Sequence, residues 1–142
     1  MAEDFNFDRI KANLEKAKQH LPVKVANATV NYFANSWKRQ GFGNESWKAR
    51  KKETKKTQGK AILVGNGSLR KAVQGSLRLA TWDKIEMVVD VSDRSKNGFN
   101  YAIVHNNGDK NTPKRQFMGD NPELRKLQIK TYMDAIDKIW KI

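Results

Sequence analysis

The stretch that most constrains this chain is Tyr101 to Gly119, YAIVHNNGDKNTPKRQFMG, which packs more special-purpose residues into one span than any other part of the sequence. Tyr101, Ala102, Ile103 and Val104 are apolar and must dock on a core, whereas His105, Asn106, Asn107, Gly108 and Asp109 favour bends and positive φ. Pro113 biases Thr112 toward extended backbone, and Lys114 and Arg115 set two cations just ahead of Phe117 and Met118. The span therefore reads as a long ordered loop that returns to the body through Phe117. Loops of that length in a small domain are functional or mobile, which makes this one the first candidate for contact with a partner.

A core to receive it is affordable in 142 residues, a length that fits one domain over 1–142 and buries about two-thirds of the unfolded-state surface. The 28 basic residues outnumber the 15 acidic ones and give a net charge of +13. That balance favours polyanions, acidic protein surfaces or anionic membranes as partners and carries no information about fold. There is no cysteine, so the chain has neither a disulfide framework nor a thiolate metal site, in keeping with a reducing compartment. The opening MAEDFNFDRI is acidic and interrupted, unlike a signal peptide, and no apolar run approaches the roughly 20 residues of a membrane span. The expectation is a soluble protein made in the cytosol.

Helical periodicity dominates both ends. Phe7, Ile10, Leu14, Ala17 and Leu21 recur at helical spacing after Asp4, with Lys16 and Lys18 toward the end of that run. Pro22 resets the pattern, and Val23, Ala26, Val30, Phe33 and Trp37 continue it until Gly41, which predicts two helices or one with a bend. An aromatic pair at the spacing of Phe33 and Trp37 is a buried face. Toward the other end, Asn121 and Pro122 form a cap and first-turn pair for a last helix, whose stripe is Leu124, Leu127, Met133, Ile136, Ile139 and Trp140.

The middle is different. From Lys38 to Lys60, nine basic residues against Glu45 and Glu53 leave +7, and apolar periodicity ends at Trp47. This predicts a basic, solvated, mobile loop at about 43–60, pinned to the body by Trp47. Lys48, Arg50, Lys51, Lys52, Lys55 and Lys56 are its candidate polyanion contacts. With no aromatic ladder among them they supply electrostatics but no base stacking, so a loop merely kept soluble by charge is the equal alternative. Ala61 to Val73 then brings a short apolar run to Gly65 and Gly67, with Ser68 as N-cap of a short helix through Leu69, Ala72 and Val73. The Gly-Lys-Ser/Thr of a phosphate loop is absent there. Ser76–Trp82 and Ile85–Val91 alternate as strands with Asp83 and Lys84 between them, predicting an antiparallel hairpin whose ends are shifted because Asp-Lys is a poor two-residue turn.

Catalytic chemistry is thin. His20 and His105 are the only histidines, and neither has metal-ligand spacing to a second His or a carboxylate. In Val104-His105-Asn106 the histidine reads as a hydrogen-bonded structural residue rather than a base. His105-Asn106-Asn107 invites comparison with small His-Asn nucleases, but the further ligands such an enzyme needs cannot be assembled from the other residues. Catalytic, cofactor-binding and metal residues are all expected to be none.

Taken in order, several pieces resemble the phage virion morphogenesis family, small tail-completion and head-to-tail joining proteins of tailed phages and prophages. They are a helical region ending in an aromatic and Gly41-Phe42, Trp47 with Arg50, Ile62-Leu63 followed by Gly67-Ser68-Leu69-Arg70, Tyr101-Ala102 with His105 and Gly108, and Pro113-x-Arg115-x-Phe117 with Gly119. The sequence departs from the pattern at Asn66 and at Ala72-Val73. The resemblance implies a noncatalytic α+β subunit, N-terminal helices and a C-terminal helix packed on a small antiparallel sheet, built into a ring at the neck or tail end of a virion. Its implied partners are its own copies and portal, connector or tail proteins, with DNA as a contact of the basic loop, no membrane, and assembly in the bacterial host cytoplasm.

In such a ring, Tyr101, His105, Arg115 and Phe117 are the expected assembly interface, Arg115 through a charge-assisted hydrogen bond and Phe117 through burial against a neighbour. The alternative for Phe117 is closure of its own subunit's core. The competing function is a nucleic-acid-binding module that holds a phosphate backbone with Lys48–Lys60.

Overall fold

The computed structural model describes residues 6–50, 61–63, 67–94 and 97–140. Its first element, α1, is one continuous helix over Phe7–Ala34 that runs through Pro22. Asn6 caps it, its side chain accepting the Arg9 N–H at 3.1 Å, and Asp8 sits in the first turn where the helix dipole favours an anion. After Asn35 comes a single turn, α2 (Ser36–Arg39), ended by Gln40 in the left-handed region. The apolar periodicity through Phe33 and Trp37 is a buried face, as the spacing predicts.

Two short strands follow, β1 (Gly41–Phe42) and β2 (Glu45–Ser46), paired antiparallel. Gly41 is required here, because a Cβ would collide with the Glu45 carbonyl oxygen. Then come α3 (Ser68–Gln74), the hairpin β3 (Leu77–Ala80) and β4 (Ile85–Met87), a 3₁₀ turn at Ser92–Arg94, α4 (Tyr101–Asn107) and α5 (Pro122–Trp140). The fold is α+β with helices at both ends of the chain. Among the described residues its strands form two small two-stranded antiparallel sheets.

Local chemistry explains where the elements differ from expectation. The hairpin turn is shifted by one residue: Thr81 and Lys84 exchange backbone hydrogen bonds of 2.8 and 3.3 Å around Trp82 and Asp83. Beyond Met87 the second strand gives up its ladder after one more bond, Val88 N–H to the Ser76 carbonyl. Asn100 takes over, accepting from Val91 N–H and donating to the Val89 carbonyl. In α3 the cap position belongs to Gly67, at φ 82°, and Ser68 is the first helical residue instead of the cap.

The core is one contiguous cluster at the C-terminal end of α1. Phe33, Trp37, Phe42, Trp47, Leu69, Val73, Val91, Ala102, Phe117 and Leu124 meet there, drawn from α1, α2, β1, α3, α4 and the start of α5. From Phe7 to His20, by contrast, α1 buries no side chain. Along most of its length its companion is α5, which runs antiparallel to it. Gln128 Nε2 donates to Thr29 Oγ1 at 3.0 Å, and Asn13 Nδ2 donates to the Ile139 carbonyl at 3.2 Å, satisfying one of the last-turn acceptors that a helix leaves open. The molecule is thus a packed body with a two-helix arm.

Candidate functional site

The Tyr101–Gly119 stretch opens as a helix, which corrects the expectation of a loop throughout. Asn100 starts it, its Oδ1 accepting the Ala102 N–H at 3.3 Å, and Gly108, at φ 76°, ends it by donating to the Val104 carbonyl. A seven-residue helix is too short to show a period, so its cap is the only local signal. Past Gly108 the chain folds back on α4. Asp109 Oδ1 accepts the N–H groups of Asn111 and Thr112 at 2.8 and 2.7 Å, which holds its carboxyl below the usual range. A Cβ at Gly108 would meet the Lys114 backbone at 2.9 Å, so glycine permits that close return.

The return is locked from both sides. The Arg115 N–H donates to the His105 carbonyl at 2.8 Å, and Asn106 Oδ1 accepts from both Phe117 N and Met118 N, at 3.0 and 3.1 Å. Phe117 then enters the core, 1 % exposed, with its ring 5.2 Å from that of Trp37, and its carbonyl accepts from Ser36 Oγ. Phe117 therefore closes its own subunit's core. The expectation that it reaches a neighbouring subunit is corrected by this burial.

Arg115 is also placed inward, 8 % exposed, with Nε donating 2.9 Å to the Lys48 carbonyl. That bond is to its own chain's backbone and uses one of the five guanidinium donors. Burial, and then the charge of Arg50, lower its affinity for a proton, so two guanidinium groups stand near each other. His105 lies against Tyr101 with ring centroids 5.9 Å apart. Burial, and secondarily Arg115, push its imidazole below the ordinary value, and its Nδ1 is buried without a hydrogen-bond partner among the described residues.

The same region fixes the root of the basic segment. Trp47 is buried, packs edge-on to Trp37 at 5.6 Å, and donates from Nε1 to the Gln116 carbonyl at 2.7 Å. It pins the segment to the body as its isolation in the sequence predicts. With Glu45–Ser46 in a strand and Trp47 in the core, 43–50 belongs to the body, so the expected mobile loop does not begin at 43. On the far side, Arg50 Nη2 donates to the Ala61 carbonyl at 2.7 Å. Gln40 exchanges side-chain hydrogen bonds with the Ile62 backbone in both directions, and Trp37 Nε1 donates to the Leu63 carbonyl. Both ends of the segment are fastened at one place.

The two sets of predicted site residues thus converge: Tyr101, His105, Arg115 and Phe117 lie beside Lys48 and Arg50. Lys51, Lys52, Lys55 and Lys56 lie outside the described residues. The polar residues that hold the region together, Asn100, Asn106 and Gln40, were not anticipated. Only Asn100 had a local signal, as an Asn ahead of an apolar run.

Two other features bear on function. A groove of about 250 Å³ between α1 and α5 has an apolar floor of Ala17, Leu21, Ala135 and Ile139 beneath Lys16, His20, Lys24 and Lys138. Among the described residues, no group of three His, Cys, Asp or Glu could hold a metal ion, and no helix is long and apolar enough to cross a membrane. No protein-family model matches the chain, and no curated protein and no solved structure shows significant similarity to it.

Proposed function

We propose that the chain is a noncatalytic structural subunit of a tailed-phage virion, one that completes the tail or joins head to tail within a ring. One observation carries this reading. The residues behind the family resemblance, scattered from Gly41 to Gly119 in sequence, gather in space around a single fastening. Phe42, Trp47 and Phe117 supply its core, Arg115 and Trp47 grip the backbone across it, and Gly108 permits the close return. Together they form a platform on which Arg50 and Ala61, the two residues that flank the basic segment, are bonded to each other, which suits a subunit that must hold one orientation among neighbours.

A second reading is favoured by the nearness of Arg50 to Arg115 at the root of a segment that adds five lysines against Glu53. That concentration suits the phosphate backbone of a nucleic acid. The two readings separate by light scattering coupled to size exclusion, at low and high salt, with and without a short random duplex, on the full chain and on a variant lacking 51–60. The assembly subunit is expected to form a discrete multimer, or to stay monomeric and ignore DNA. A duplex complex that is lost with 51–60 and whose affinity falls with salt at a log-log slope of about −0.9 per phosphate would overturn it in favour of the binding module.

A further inference from the structure

α5 carries two apolar lines, of which its own chain uses one. Leu124, Gln128, Thr131, Ala135 and Ile139 are its less exposed positions, and Gln128, Ala135 and Ile139 contact or line the side against α1. Ile129, Met133 and Ile136 repeat at spacings of four and three residues on a separate line, about 100–130° further round the helix. They are 60, 52 and 40 % exposed. A line this narrow, two positions in seven, has the width of a coiled-coil seam; the stripe that seats a helix on a core is broader.

We propose that this seam is covered by a second copy of the chain, α5 packing antiparallel on α5 about a two-fold axis between Met133 and Ile136. The seam's flanking charges select that occupant. With Ile129 and Ile136 at d positions and Met133 at a, the antiparallel register stacks Met133 on Ile136 of the second copy, and the converse by symmetry. The e positions are then Lys130 and Asp137. Lys130 of one copy faces Asp137 of the other, offset by about 3 Å along the axis, and the pair occurs twice. Neither residue forms an ion pair within its own chain among the described residues.

A parallel pairing would instead set Arg125 against Lys130, two like charges. A strongly acidic or basic partner would meet one residue of each sign. Of the two self-pairings, the antiparallel one is matched in charge at both positions. This surface lies on the arm, apart from the fastening around Phe117, and the inference does not depend on the virion reading. About 12 residues of contact bury less than the roughly 800 Å² per partner of a standard interface, so the dimer is concentration-dependent, with a dissociation constant in the micromolar range.

Sedimentation velocity on the full chain, from about 1 to 300 µM, tests it. The mass is expected to rise from that of one 16.3 kDa chain toward twice that value. The variant Met133→Glu/Ile136→Glu should keep its helical circular dichroism and stay monomeric throughout. Lys130→Glu and Asp137→Lys should each weaken the dimer about tenfold, and the two together should restore it. A wild-type chain monomeric at every concentration overturns the proposal, as does a multimer indifferent to the seam variant. A combined charge variant no better than the single ones overturns the antiparallel register.

Discussion

Asn106 shows how much one side chain can organise. Its Oδ1 accepts from two consecutive backbone donors, Phe117 N and Met118 N, and so ties the returning segment to the end of α4. Truncation leaves both donors without that acceptor next to the core, and Asn106→Ala should cost about 1–3 kcal/mol, read as a lower denaturant midpoint with an unchanged slope. His105, its neighbour, makes stability depend on pH. Its folded pKa is lowered by burial and by Arg115, so the unfolded chain takes up a proton first as the solution is acidified. The contribution is present above the unfolded value near 6.5 and is lost as pH falls from there through the folded pKa. The wild type should therefore lose more thermal stability between pH 7 and pH 5 than His105→Gln does, and equal losses in the two proteins would remove His105 from that account.

Some of this was readable from single residues and some was not. Trp47 stood out as an aromatic with no periodic companions, and it is indeed the pin; Asn121 ahead of Pro122 announced a cap, and its Oδ1 accepts the Leu124 N–H at 2.7 Å. Asn106 and Gln40 gave no warning. Their partners lie 11 to 22 residues away, and an amide side chain in a polar stretch looks the same whether it meets water or a backbone. Phe117 was ambiguous because burial in one's own core and burial against a neighbour leave the same mark on a sequence.

At the scale of elements, length decided legibility. α1 and α5 are long enough for their periods to show, whereas α4, at seven residues, shows none and passes for a loop. Even a long helix hides something. The apolar residues of α5 read as one stripe, yet Leu124 and Ile139 are buried while Met133 and Ile136 face outward, a division that depends on where α1 lies. The basic segment has a consequence of its own. Since Arg50 and Ala61 are already bonded, its ends need little chain to connect them, and closure entropy changes slowly with loop length. Replacing 51–60 with a short Gly-Ser linker should shift the thermal midpoint by no more than about 2 °C, while removing five lysines and Glu53. A much larger loss would show that the segment contributes to the body.

The whole molecule separates its tasks along one axis. The packed body lies at the C-terminal end of α1, with the fastening and the roots of the basic segment. The arm at the other end carries the lysine-rimmed groove and, elsewhere on α5, the apolar seam. The net charge of +13 was plain from composition, but this division was not, because it depends on how far α1 runs past the last residue the core can use.

The contact between Asn13 and the Ile139 carbonyl has a further effect. It brings the end of α5 beside the early turns of α1, at the tip of the arm, about 30 Å along α1 from Phe33. Together with the bond between Arg50 and Ala61, it makes the chain topologically close to a closed ring with two places to cut. A circular permutant that joins the tip by a few residues and opens between Arg50 and Ala61 would preserve every contact described for the body and the arm. Its new ends would lie in the most basic part of the sequence.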